Sequence, residues 1–202
     1  MVSVGSDSTG SDVEAAPIPM AVKILVAGGF GAGKTTLVGS VSEITPLNTE
    51  EVMTEASLGV DSLDGVEGKS TTTVALDFGR ITINEWVLLY LFGTPGQGRF
   101  WFMWDELAHG ALGAVVLADT RRLETSFPAV DYFERREIPF VVAVNCFDGT
   151  CRYVAQEVRD ALNLTMQVPV VLADIRERDS SKEVLLALVE HVMARRETAV
   201  AG

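Results

Sequence analysis

Two cysteines, two histidines and 16 basic side chains are few for 202 residues, and each shortage removes a class of function. Cys146 and Cys151 cannot build a disulfide framework, so the simplest expectation is a reducing cytoplasm with both thiols free, the alternative being a redox pair. His109 and His191 lie too far apart, with too little company, to suggest a metal site. Carboxylates outnumber Lys and Arg 28 to 16, for a net charge of −12, which repels phosphate backbones and argues against nucleic acid as a partner. Apolar runs such as Ile138 to Val144 fall well short of the roughly 20 residues that span a bilayer. There is no C-terminal Cys for prenylation and no basic, apolar leader at the start, so neither a lipid anchor nor a signal peptide is expected.

What is present suits a globular domain with one core: 48% apolar and 22% charged residues. Residues 1–19, "MVSVGSDSTGSDVEAAPIP", show no apolar period and are expected to form a disordered tail. From Ala21 onward, β-branched runs alternate with stretches of helical period. "AVKILVAG", "TTVALDFGRITI", "WVLLYLF", "ALGAVVLAD", "IPFVVAVN" and "VPVVLA" read as six strands. "KTTLVGSV", "GRFWFMWDELAHG", "ETSFPAVDYFERRE", "CRYVAQEVRDALN" and "SKEVLLALVEHVMARR" read as five helices. The pattern predicts an α/β fold with a mostly parallel sheet and helices on both faces. Only Asn84 and Glu85 separate the second and third strands, which predicts one antiparallel hairpin. Ser180 and Glu183 read as a capping box for the last helix, whose Leu185, Leu188, Val189 and Val192 share a face. The stretch Ser42 to Ser70 has no clear period, and a loop of that length is usually functional or mobile.

Residues 28–35, "GGFGAGKT", fit G-x-x-x-x-G-K-[ST] between an expected strand and an expected helix. Phosphate accounts for each element. Glycines let backbone N–H groups wrap an anion, the helix N-terminus adds its dipole, Lys34 neutralises β- and γ-oxygens, and the Thr35 hydroxyl ligates Mg²⁺. The candidate nucleotide-binding set is Gly29, Phe30, Gly31, Ala32, Gly33, Lys34, Thr35 and Thr36. Such a loop does not by itself choose ATP or GTP.

A second glycine turn follows at "LFGTPGQGRF", residues 91–100. There the Gly96 N–H would meet a γ-phosphate and Gln97 would orient the attacking water, although "TPGQ" is also a good turn in its own right. In "VVAVNCFDG", residues 141–149, an apolar strand ends in Asn145 and Asp148. A carboxylate here can accept from guanine N1–H and N2–H₂ together, whereas adenine presents an N1 acceptor; the alternative is that both residues cap the next helix.

In this order, Gly28–Thr35, "TTTVALDF", "GTPGQ", "NCFD" and the "LAD" of 172–174 resemble the five G motifs of a Ras-like small GTPase. They are most similar to actinobacterial conservon GTP-binding proteins and the MglA-type bacterial GTPases. The resemblance spans residues 21–196 and implies a Ras-like G domain over 20–197, a short tail over 198–202, and GTP/GDP and Mg²⁺ as ligands. It implies that Thr73, or its neighbour Thr72, is the switch I threonine that meets Mg²⁺ and γ-phosphate, and that the Ala173 N–H binds guanine O6. It further implies a cytoplasmic signalling switch with slow, partner-stimulated hydrolysis. The implied partners are a Roadblock/LC7-type protein, a sensor histidine kinase and a small conservon protein, with peripheral recruitment to a membrane left open.

Three departures qualify this expectation. Gly93 stands where most Ras-like proteins carry the Asp that holds Mg²⁺ through water, which points to weaker metal binding. Cys146 stands where the N-K-x-D motif has Lys, which points to weaker guanine binding. The stretch 42–70 has no Arg to complete a phosphoryl-transfer site; Arg99 is the nearest candidate, ahead of Arg121 and Arg122. The catalytic set is thus Gln97, Lys34 and Arg99. Phe100, Trp101, Phe102 and Trp104 crowd five positions, so some must face outward, either to dock a partner or to pack on neighbouring helices. Two other functions stay open: a GDP/GTP-binding module with little or no hydrolysis, suggested by Gly93 and Cys146, and a P-loop ATPase or kinase, against which Asp148 argues.

Overall fold

The computed structural model describes residues 18–45, 47–54, 71–96, 102–146 and 151–201; of the expected tail over residues 1–19, residues 1–17 lie outside them. Seven strands form one sheet: β1 (Met20–Gly28), β2 (Leu47–Thr54), β3 (Thr71–Asn84), β4 (Val87–Gly93), β5 (Ala111–Ala118), β6 (Phe140–Asn145) and β7 (Val170–Ala173). Their spatial order is β2-β3-β4-β1-β5-β6-β7. All six expected strands are there. β3 runs antiparallel to both neighbours and the remaining pairs are parallel, so the sheet is mostly parallel with one hairpin strand, as the sequence implies.

The additional strand, β2, comes from the stretch that shows no period, and it pairs with β3 from Leu47↔Phe78 to Thr54↔Thr71. It lies at the sheet edge, where a single ladder of backbone hydrogen bonds, rather than burial between two layers, holds a strand. The hairpin turn is Glu85–Trp86, one residue later than expected, because Asn84 itself pairs with Val87 and accepts the Trp86 N–H at 2.8 Å.

Strand residues alternate between two apolar layers. Ile24, Val26, Val115, Leu117, Val141 and Ala143 pack with α1 (Lys34–Val41) and α5 (Arg178–Ala201) through Leu37, Val41, Val184 and Leu188. Leu25, Ala27, Val116, Ala118, Val142 and Val144 face the other way. There they meet Trp104 of α2 (Phe102–Ala108), Val130 and Phe133 of α3 (Phe127–Arg135) and Val158 of α4 (Ala155–Ala161). All six residues of β6 are buried, as two-sided cover requires. The last helix begins two residues before the expected capping box: Ser180 Oγ instead accepts the Asp174 N–H at 3.1 Å, and buried Ser181 donates to the Ile175 carbonyl at 3.0 Å. The parallel strands end along one edge at Gly28, Gly93, Ala118, Asn145 and Ala173, and that edge is where an open α/β sheet forms its ligand crevice.

Candidate functional site

The motif Gly28–Thr35 forms the turn from β1 into α1. Gly28, Gly31 and Gly33 have φ of 138°, 74° and 108°, a region that side chains rarely tolerate. Gly33 is constrained twice, since a Cβ there would also collide with Ile175 Cδ1 and lie 3.0 Å from Asn145 Nδ2. No side chain caps α1, which leaves its first N–H groups to a ligand. Lys34 is buried and donates from Nζ to the carbonyls of Gly28 at 3.0 Å and Gly29 at 2.8 Å. Burial pushes its pKa down to about 8, with the Asp77 carboxylate opposing that fall. An ammonium held this way gains from a nearby phosphate.

Beside it, Thr35 Oγ1 donates to Asp77 Oδ2 at 2.7 Å. Asp77 is the cross-strand partner of Gly93, and a Cβ on Gly93 would stand 2.9 Å from Asp77 Oδ2. The carboxylate that Gly93 lacks is therefore supplied by the adjacent strand. A hydroxyl and a carboxylate in contact at the foot of a phosphate loop form the oxygen donor set a hard divalent cation takes, so these residues fit Mg²⁺. Asp77 was not singled out in the sequence; it is the acidic residue of "TTTVALDF", and only the hairpin register reveals its place.

The second glycine turn closes over the first. A Cβ on Gly96 would meet Lys34 Nζ at 2.5 Å and the Phe30 N at 3.0 Å, so this backbone lies directly on the loop and a side chain here would push on Lys34. Thr94 is buried and its hydroxyl has no hydrogen-bond partner among the described residues. An orphaned hydroxyl costs about 1–3 kcal/mol, which a ligand or water would relieve. Behind the turn, Trp104 is buried, stacks on Phe133 at 5.9 Å and donates from Nε1 to the Pro95 carbonyl at 3.4 Å. Phe102 of the same helix is exposed, so this aromatic cluster divides between core and surface. Gln97, Arg99, Phe100 and Trp101 lie outside the described residues, as do the side chains of Thr72 and Thr73.

On the base side, buried Asn145 donates from Nδ2 to the Ala32 carbonyl at 3.1 Å and pairs in register with buried Ala173. The Cys146 N–H donates to the Ala173 carbonyl at 2.8 Å. These contacts join the expected base motifs to the phosphate loop; Asp148 lies outside the described residues. The expectation of two free thiols is corrected, since Cys146 and Cys151 form a disulfide with Cα atoms 4.7 Å apart. They are five positions apart in sequence, and that Cα separation lies within the range a disulfide spans.

After β5, Asp119 is buried with its carboxyl held below the usual range, chiefly by the Arg121 side chain. Arg121 donates to it from Nε and Nη2, both at 2.9 Å. Arg122 reaches the same carboxylate at 3.4 Å and donates from Nη2 to the Phe30 carbonyl at 3.1 Å.

Comparison with known proteins adds a family and a fold. Residues 26–195 match the family described as conserved hypothetical ATP binding protein, and the chain belongs to it. The uncharacterized protein MJ1339 of Methanocaldococcus jannaschii is 30% identical over 129 residues, 63% of this chain and 71% of that protein. The G domain of the T. maritima FeoB iron transporter is similar with a TM-score of 0.58 and 19% identity, covering 85% of this chain and 99% of that domain. The FeoB G-domain of Methanococcus jannaschii gives 0.57 and 14%, covering 86% and 98%. With the T. maritima cytosolic domain in GDP form the TM-score is 0.62 at 19% identity, covering 87% of this chain but 65% of the other. This chain thus spans about two thirds of the FeoB cytosolic domain and nearly all of the G domains. The fold is that of a P-loop G domain.

Proposed function

We propose that this member of the conserved hypothetical ATP-binding family is a GTP-binding protein that hydrolyses GTP slowly and acts as a nucleotide-dependent switch. The observation that carries the reading is the junction of three elements at the phosphate loop: Lys34 on the loop, the Thr35–Asp77 contact beside it, and the Gly96 backbone lying against Lys34 and Phe30. Lys34 binds β- and γ-oxygens, Thr35 and Asp77 hold Mg²⁺, and the Gly96 N–H orients the γ-phosphate. Mg²⁺, when bound, supplies charge neutralisation of the phosphates. Gln97 aligns water, and Thr73 or Thr72 joins the site from β3.

Guanine is favoured over adenine because Asn145 is tied to the loop and Asp148 follows it in the sequence. A P-loop ATPase is the second reading, favoured by the description of the family. The narrower likeness to conservon and MglA-type GTPases, and with it a Roadblock/LC7-type protein and a sensor histidine kinase as partners, rests on motif order alone. Among the described residues no helix is long and apolar enough to cross a membrane. Single-turnover hydrolysis of GTP and ATP by the purified chain tests the reading. GTP turnover that is slow but measurable, and faster than ATP turnover, supports it; ATP-selective turnover overturns it in favour of the ATPase, and inert GTP reduces it to a binding module.

A further inference from the structure

A G domain that works without help needs a cation against the γ-phosphate, and among the described residues the arginine that the fold brings to the phosphate loop is Arg122. Its Nη2 lies 3.1 Å from the Phe30 carbonyl and 3.2 Å from where a Cβ on Gly31 would stand. On the other side of Phe30, the Gly96 backbone presses on the Phe30 N and on Lys34 Nζ. A cavity of about 390 Å³ joins the two sides, lined among others by Gly29, Phe30, Gly96, Trp104, Arg122 and Thr125. A guanidinium at one wall and, at the other, the glycine turn that itself lies against Lys34 Nζ is the arrangement a terminal phosphate would fill.

The neighbouring arginine explains why Arg122 is free to act. Asp119 is engaged by Arg121 through two side-chain contacts at 2.9 Å and a backbone N–H at 3.0 Å. Arg122 keeps a longer contact at 3.4 Å, and its side chain is about half exposed at 47%. Arg121 therefore anchors the carboxylate while Arg122 shares one nitrogen between a neutral carbonyl at 3.1 Å and a long contact to that carboxylate at 3.4 Å. The loop that carries it is fixed, because Thr125 packs where a Cβ on Gly29 would be. Exchanging a carbonyl for a phosphate oxygen strengthens the guanidinium's hydrogen bond, as charge-assisted pairs do.

We propose that Arg122 is a catalytic residue acting within its own chain: once GTP binds, its guanidinium moves from the Phe30 carbonyl to a γ-phosphate oxygen. Water oxygen forms a bond to the γ-phosphorus, the bond from phosphorus to the βγ-bridging oxygen breaks with its electrons leaving on GDP, and the water proton ends on the released phosphate. Arg122 neutralises charge as this transfer proceeds. The proposal rests on the GTPase reading and names a residue for it.

Arginine held in cis sustains about 10⁻² s⁻¹, against roughly 4 × 10⁻⁴ s⁻¹ without one, so Arg122→Ala is expected to slow single-turnover GTP hydrolysis on the order of 25-fold. GTP affinity is expected to stay within threefold, and Arg122→Lys to hydrolyse at a rate between the two. Wild type with GDP and aluminium fluoride is expected to form the transition-state complex without a partner, and Arg122→Ala to fail. A rate unchanged in Arg122→Ala overturns the proposal and leaves the GTPase reading intact. A more than tenfold loss of GTP affinity in both variants overturns it in favour of a structural prop for the loop. No hydrolysis by the wild type overturns the GTPase reading, and the proposal with it.

Discussion

Lys34→Met separates the energetic burden of the phosphate loop from its use. In the nucleotide-free protein the Lys34 pKa falls from 10.5 to about 8, chiefly through burial. At about 1.4 kcal/mol per pKa unit, holding the charged form in the folded state costs about 3 kcal/mol at pH 7, where Lys34 is protonated both folded and unfolded. Met removes that cost and also two hydrogen bonds to the Gly28 and Gly29 carbonyls, worth about 1 kcal/mol each. The variant should therefore be about 1 kcal/mol more stable than wild type at pH 7. Between pH 8 and 10.5 the folded wild type binds fewer protons than the unfolded chain, so its stability rises with pH through that window. By pH 10.5 the penalty is gone, the hydrogen bonds remain, and wild type should be the more stable by about 2 kcal/mol. Urea unfolding of both nucleotide-free proteins at the two pH values reads the difference, which cancels other titrating groups. GDP should raise the Tm of wild type only. A stability difference that does not change with pH refutes the reasoning.

Asp77→Asn should reduce the Mg²⁺-dependent gain in GTP affinity about 10- to 100-fold, while affinity in EDTA is unchanged; Thr35→Ala should do the same, and calorimetric titration of the double variant should show less than additive loss. Gly33→Ala should abolish nucleotide binding and lower the Tm, since the new methyl meets Ile175 at a φ of 108°; wild-type GDP binding by this variant would contradict the loop geometry. With Trp86→Phe and Trp101→Phe leaving Trp104 as the reporter, emission should differ between GDP and a non-hydrolysable GTP analogue, because its indole bonds the Pro95 carbonyl of the second turn. Identical spectra would count against a turn that responds to the γ-phosphate. Dithiothreitol should lower unfolding stability by about 2 kcal/mol by opening the Cys146–Cys151 bridge, and Cys151→Ser should be insensitive to it.

The phosphate loop was legible because its spacing and its setting between strand and helix both follow from local sequence, and Gly28, Lys34 and Thr35 lie where that motif implies. The two-layer core was legible for the same reason, since strands such as Phe140–Asn145 are apolar at nearly every position. Asp77 was not, because its role is a matter of register. Counting outward from a turn at Asn84–Glu85 sets Leu76 opposite Gly93, on the other face of the strand. The actual turn at Glu85–Trp86 and the irregularity between Thr82 and Asn84 bring Asp77 there instead. β2 escaped notice because "LNTEEVMT" lacks the apolar alternation by which a strand is recognised. The disulfide was legible only as the less favoured alternative, because two thiols in an otherwise cysteine-poor chain give little reason to pair until the fold sets their Cα atoms 4.7 Å apart.

Calorimetric titration of the nucleotide-free protein with GTP, GDP and ATP, each with and without Mg²⁺, tests the central claim most directly. Guanine nucleotides should bind at least 100-fold more tightly than ATP, the order expected where a buried polar group is left unpaired by the wrong base, with GTP the more dependent on Mg²⁺. Tighter binding of ATP than of GTP would contradict the account.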